Sequence, residues 1–201
     1  MDLNKMYESW KAAFLQPEKV LAASRKKASL EEGAKQLAIG LVVAGVISGI
    51  ITTIYTLGIG VASIVLTPIG MLIGGLICYL VANAVFWVIA KVLGGKGGYG
   101  QQFHLSALMV VPVVVINAIL GIIPVLGGLV GLLVSLYGIW LQILAVKEAH
   151  AFSTERAAVA VLLPIVVLGL LVAIFAVMFA AVLGAVGLAG LAAALGTMPK
   201  A

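Results

Sequence analysis

Between Lys35 and Lys91 the chain passes through 55 residues without one Asp, Glu, Lys or Arg, and residues 97–146 and 157–199 do the same. Stretches of that kind cannot cover a water-facing surface. Soluble domains carry about 25% charged residues. This chain of 201 residues carries 9%, with 64% hydrophobic residues and a mean hydropathy of +1.27. The sequence specifies an all-α integral membrane protein, in which the net charge of +5 sets orientation rather than binding nucleic acid.

Residues 1–35 are the one sizeable polar segment. They hold twelve charges and no apolar core of a signal peptide, so the first span is expected to act as its own insertion signal. Leu3, Met6, Tyr7, Trp10 and Phe14 recur at helical spacing and share one face. That face either lies in the headgroup plane or packs on the protein's own loops. Pro17 opens a second short helix that runs to the basic cluster Arg25, Lys26 and Lys27. In the membrane-surface reading, Trp10 and Phe14 insert while Arg25, Lys26 and Lys27 attract anionic lipid headgroups.

"SLEE" at 29–32 has the pattern of a capping box and announces the first span, about 36–57. At 1.5 Å per residue those 22 residues reach about 33 Å, enough to cross a bilayer core. Thr67-Pro68 reads as the N-cap and first turn of a second span, 68–91. Three more follow at 104–121, 124–146 and 157–182, with a tight reversal between Gly121 and Pro124. The five-span domain thus covers 36–182. The tail 183–201, apolar and rich in Gly and Ala, either extends the fifth helix or lies along the surface.

Charge gives the orientation. Eleven Lys and Arg fall before the first span or in the second-to-third and fourth-to-fifth connections, against Lys200 alone on the other side. The positive-inside rule then predicts a multi-pass cell-membrane protein with a cytoplasmic N-terminus and an external C-terminus.

"KVLGGKGGYGQQF", residues 91–103, imitates a phosphate-binding loop. With Lys96 in the lysine position, Gly95 fits, but Ala90 stands where the first glycine belongs and Gly97 where a hydroxyl must hold magnesium. The run before it is too long and evenly apolar for a buried strand. The glycines 94, 95, 97 and 98 are read instead as a cytoplasmic connector that turns between spans and approaches the headgroups closely.

No ionisable Asp, Glu, Lys or Arg lies deep in a span, which counts against a proton- or sodium-coupled pump. Asn83, Asn117 and Gln142 are the intramembrane amides. They are expected to hydrogen-bond between helices, the sharper alternative being a polar path for a solute. Gly45 and Gly49, Gly70 and Gly74, and Gly127 and Gly131 permit close helix contact, within the chain or between protomers. Pro112 and Pro164 are expected to kink their spans. His104, His150 and Arg156 are assigned to the cytoplasmic face, the histidines as solvated interfacial groups. With Glu148 and Glu155 the histidines match no metal-ligand spacing. Cys78, the single cysteine, is read as a small apolar packing residue. No Asp pair, Ser–His pair or H-E-x-x-H is present, so neither a catalytic site nor a cofactor is expected.

Taken together, "WKAAFLQPEKV", the connector "GGKGGYGQQF", Pro112, Pro124, Trp140 and "KEAHAFSTERAAVAVLLP" resemble the Yip-one (Ypt-interacting protein) family over about residues 8–175. The resemblance implies a five-span helical protein with a cytoplasmic N-terminus. Eukaryotic relatives are associated with prenylated Rab GTPases and vesicle traffic, and form homo- and hetero-oligomers. The short N-terminal segment here suggests a compact, prokaryotic-type member.

Two functions follow as expectations. The first is a non-enzymatic protein that organises membrane or recruits partners, as a homo-oligomer or with a GTPase-type protein. The second is a channel or carrier for a small neutral or hydrophobic solute, using the kinked spans with Asn83 or Asn117.

Overall fold

A computed structural model describes residues 3–196, and the side chains of residues 7–183 among them. The described residues are 88% helix with no strand among them, and five helices are long and apolar enough to cross a membrane. Two short helices come first, α1 (Leu3–Leu15) and α2 (Pro17–Ser24), followed by a 3₁₀ turn over Arg25–Lys27. The long helices are α3 (Leu30–Tyr55), the pair α4 (Ser63–Gly70) and α5 (Leu76–Val92), then α6 (Tyr99–Leu120), α7 (Pro124–His150) and α8 (Thr154–Gly196).

Local chemistry sets most of the boundaries. Pro17 and Pro124 occupy the first turns of α2 and α7, where a missing N–H costs nothing. The Ser29 hydroxyl accepts from the Glu32 N–H at 3.2 Å and caps α3. The Glu32 carboxylate turns toward Lys35, 3.5 Å away, and makes only a side-chain pair.

The second span departs from expectation. Its helix begins at Ser63, not at Thr67-Pro68, so Pro68 lies inside α4. A wide π turn over Met71–Gly75 follows and carries the helix into α5. Proline and π turns are the usual causes of a helix bend, and here they fall together. Tertiary contact overrides the cap signal. Gly45 on α3 lies against Pro68, and Gly49 against Ser63 and Ile64, so closely that a Cβ at either glycine would meet backbone atoms. The Ser63 hydroxyl donates to the Gly49 carbonyl at 2.9 Å and fixes the start of the hairpin.

Residues up to Val161 form one compact unit, in which α3 packs on α4 and α6, and α6 on α7. At the uncharged end, the Tyr55 hydroxyl donates to the Ile122 carbonyl at 2.6 Å and ties the α3–α4 connection to the α6–α7 turn. From Leu162 onward α8 forms a unit of its own. Of the tail, residues 183–196 continue that helix, and 197–201 lie outside the described residues.

Gly127 meets the Leu120 carbonyl and Gly131 the Asn117 side chain, whereas Gly70 and Gly74 have nothing within 4 Å among the described residues. Two of the three small-residue pairs are therefore used for contacts within the chain. Cys78 is exposed on α5 rather than packed.

Candidate functional site

The polar residues gather at the end of the bundle that carries the basic connections. There the connector between α5 and α6 folds back on the C-terminus of α7. Gly94 takes φ +86°, a left-handed conformation natural to glycine. The Gly95 N–H then donates to the Ala90 carbonyl at 2.8 Å, and Lys91 Nζ donates to the Gly95 carbonyl at 3.2 Å. Gly95 and Gly97 lie on the imidazole of His150, and a Cβ on either would collide with the ring or with the Ala149 carbonyl. The close approach these glycines permit is thus to His150, not to headgroups. Only Gly94, Lys96 and Gly98 of the connector glycines and lysine face outward.

His150 is 2% exposed, and Gln102 and Asn83 are fully buried. The Gly97 N–H donates to His150 Nδ1 at 3.2 Å, which puts the ring proton on Nε2. Nε2 donates to Gln102 Oε1 at 2.8 Å. The Gln102 amide donates in turn to the Asn83 carbonyl at 3.0 Å. Trp87 Nε1 donates to the Gly97 carbonyl at 3.3 Å, and Phe152 stacks on the imidazole with centroids 5.5 Å apart. The neutral tautomer is the one that completes this chain. His150 stands one turn beyond Val146, past Lys147 and Glu148, and so outside the membrane-spanning part of α7. Burial pushes its pKa down to about 4, and the nearby Lys91 ammonium acts in the same direction.

Both histidines expected to be solvated are therefore buried, His104 at 7% exposure and His150 at 2%. The reason is lateral packing. His104 backs onto Gly33 of α3, and His150 is covered by the connector. No group of three His, Cys, Asp or Glu among the described residues is placed to hold a metal.

Further into the spans the amides are paired. Gln142 Nε2 donates to the Ser106 hydroxyl at 2.7 Å, and the Tyr79 hydroxyl donates to Gln142 Oε1 at 3.4 Å. Asn117 Nδ2 donates to the Ser135 hydroxyl at 3.2 Å. Asn83 belongs to the His150 chain. Each amide joins its helix to a neighbour, the arrangement expected of polar groups in lipid.

The N-terminal helices cover this assembly. Leu21 and Ala13 join the core of α6 and α7 formed by Leu105, Leu108, Leu141 and Leu144. Phe14 meets Tyr137 edge-on at 5.0 Å, and its carbonyl accepts from the Tyr137 hydroxyl at 2.8 Å. Trp10 packs against the Leu37 and Phe103 cluster. Trp10, Ala13 and Phe14 of α1 are therefore used on the protein's own spans, Trp10 and Phe14 half-buried rather than turned outward, while Tyr7 is exposed. Arg25 pairs with Glu148 at 3.2 Å, anchoring the N-terminal segment to α7. Lys26, Lys27, Lys96 and Arg156 are exposed.

Gln102 and Trp87 were not singled out by sequence. The legible signal was the amide pair "QQ" at the head of an apolar helix.

Fold and site together define a five-span helical membrane protein, with a polar lock at one end and no free catalytic constellation among the described residues. The chain belongs to the Yip1 family: the family model of the Yip1 domain matches residues 11–177. No curated protein and no solved structure matched.

Proposed function

We propose that this Yip1-domain protein is a non-enzymatic membrane scaffold that recruits partners at its basic end, which faces the cytoplasm. The observation that carries the reading is that Lys26, Lys27, Lys96 and Arg156 are exposed there. Of these, Lys96 stands between Gly95 and Gly97, which are locked on His150. A set of cations on a rigid base suits an acidic protein surface or an anionic leaflet, because little ordering entropy is lost on docking. The positive-inside rule supports a cytoplasmic N-terminus and an external C-terminus. A second copy of the chain or a GTPase-type protein, as the family resemblance suggests, is the class of partner. The carrier alternative finds no support at Asn83, Asn117 or Gln142: the Asn83 amide donates to the Tyr79 carbonyl of its own helix and accepts from Gln102, and the amides of Asn117 and Gln142 are engaged with neighbouring helices.

Lysine-directed cross-linking in the native membrane, followed by mass spectrometry, tests this. Lys26, Lys27 and Lys96 should link to a second protein or a second copy. Links confined to single chains would overturn the proposal.

A further inference from the structure

Helix α1 lies far along α6 from the basic end. Its Tyr7, Lys11 and Phe14 face Pro112, Ile116 and Ile119 across a groove of about 300 Å³. At 1.5 Å per residue, Pro112 stands about 12 Å and Ile119 about 22 Å beyond His104, at the basic end of that span. Glu8 and Lys11 are exposed on this stretch of α1. Among the described residues no ion pair joins the two, so neither neutralises the other. With lipid around the bundle, both would meet hydrocarbon near the middle of the bilayer.

A charge at that depth shifts an equilibrium by roughly a hundredfold, and two shift it by about ten-thousandfold. The contacts that hold α1 in place are weak against such a bias. Trp10 and Phe14 gain nothing there from leaving water, because acyl chains are as apolar as the surface of α6. What remains is van der Waals contact across an incompletely filled groove, with the hydrogen bond from the Tyr137 hydroxyl to the Phe14 carbonyl at 2.8 Å. The Trp10 indole N–H finds no acceptor among the described residues.

Helix α2 is held differently. Leu21 is buried beside Leu105 and Leu144, Arg25 pairs with Glu148 at 3.2 Å, and Gln101 Nε2 donates to the Arg25 carbonyl at 3.4 Å. These contacts lie at the basic edge, where water reaches the charges. A joint separates the two helices. Gln16 leaves helical geometry at φ −136° and ψ 56°, and Pro17 has no N–H to bond back into α1. Four residues from Leu21, the joint stands about 6 Å inside that edge. Amphipathic helices in the interface lie at about 5–10 Å.

We infer that α1 is a hinged arm with two seats. One is the seat on α6 described above, and the other lies in the headgroup layer at the basic end, taken when lipid surrounds the bundle. Raised on the Gln16–Pro17 joint, α1 turns Tyr7, Trp10 and Phe14 toward acyl chains and Glu8 and Lys11 toward water. The movement brings Lys11 to the end that already exposes Lys26, Lys27 and Lys96. The seat on α6 is kept where protein or water, rather than hydrocarbon, faces Glu8 and Lys11. The inference requires only that the chain span a membrane, and it stands apart from the scaffold reading.

The test uses the full chain in phosphatidylcholine vesicles containing phosphatidylglycerol. Nitroxide labels are placed on Ser9→Cys and Ile122→Cys in a Cys78→Ala chain, which leaves both charges of the arm intact, and their separation is measured by pulsed EPR. On α6, Tyr7 lies beside Ile119, three residues from Ile122, so the labels should stand under roughly 20 Å apart; raised, they are separated by most of the length of α6, about 30 Å. In vesicles the long distance should dominate. Glu8→Gln/Lys11→Gln should raise the ratio of short to long about tenfold or more. The substituted residues lie outside the buried clusters, and thermal stability measured alongside shows an intact fold. A short distance that dominates with both charges present, or a distribution unchanged by removing them, would each overturn the proposal.

Discussion

Replacing His150 with Ala tests the lock most sharply, because the imidazole satisfies two buried groups at once. Without it, the Gly97 N–H and Gln102 Oε1 lose their partners inside the protein. An orphaned buried group costs about 1–3 kcal/mol, and losing the stack on Phe152 removes about 0.5–1.5 kcal/mol more. The sum over both groups and the stack is roughly 2.5–7.5 kcal/mol, reduced where water enters the vacated space. Folding stability in detergent, followed by denaturant titration, measures it. Trp87 emission gives a local reading, since its N–H is bonded to Gly97.

Gln102→Ala in the same background separates pairing from bulk packing. Once His150 is gone, removing Gln102 relieves one unsatisfied acceptor, so the double variant should lose less than the two single losses combined. Coupling of about 0.5–3 kcal/mol is the expected range for residues in contact. A His150→Ala loss under about 0.5 kcal/mol, or strictly additive losses, would refute the lock.

The same geometry sets a pH dependence. The folded pKa of His150 lies below its ordinary value, so its contribution is present above about 6.5 and is lost as pH falls toward about 4. A thermal-melt series across that window should slope downward on acidification, and less so in His150→Gln. Gly45→Val should destabilise by more than the usual 1–3 kcal/mol of overpacking, because its neighbour is the Pro68 backbone. Gly128→Ala on α7 meets open space and should raise helix stability by about 0.5–1 kcal/mol. Both are read from denaturation midpoints, and the reverse ranking would refute the packing of α3 on α4. For topology, single cysteines placed in a Cys78→Ala chain should be labelled from opposite faces, Lys96→Cys from the cytoplasm and Ile59→Cys from outside. Labelling of both from one side would contradict the five-span orientation.

The spans were legible because hydropathy is a local property, and a run such as residues 36–57 declares itself without its neighbours. Ser29, Pro17 and Pro124 were legible for the same reason, since a cap or a first-turn proline acts within four residues. Pro68 misled because its local signal, Thr-Pro, was overridden by a glycine on another helix, Gly45. His150 and Gly97 are 53 residues apart, and nothing in the spacing of either announces the other. A histidine beside charged residues looks solvated until the chain that covers it is known. The apolar face of α1 was visible, but amphipathicity alone does not choose between lipid and protein. Phe14 against Tyr137 makes the choice here.

Native mass spectrometry of the protein extracted gently from its own membrane tests the scaffold reading most directly. A discrete oligomer or bound protein partner, kept in Asn117→Ala and weakened in Lys26→Gln/Lys27→Gln, is the expected result. A chain that carries no protein partner, but holds a small solute lost in Asn83→Ala or Asn117→Ala, would contradict it.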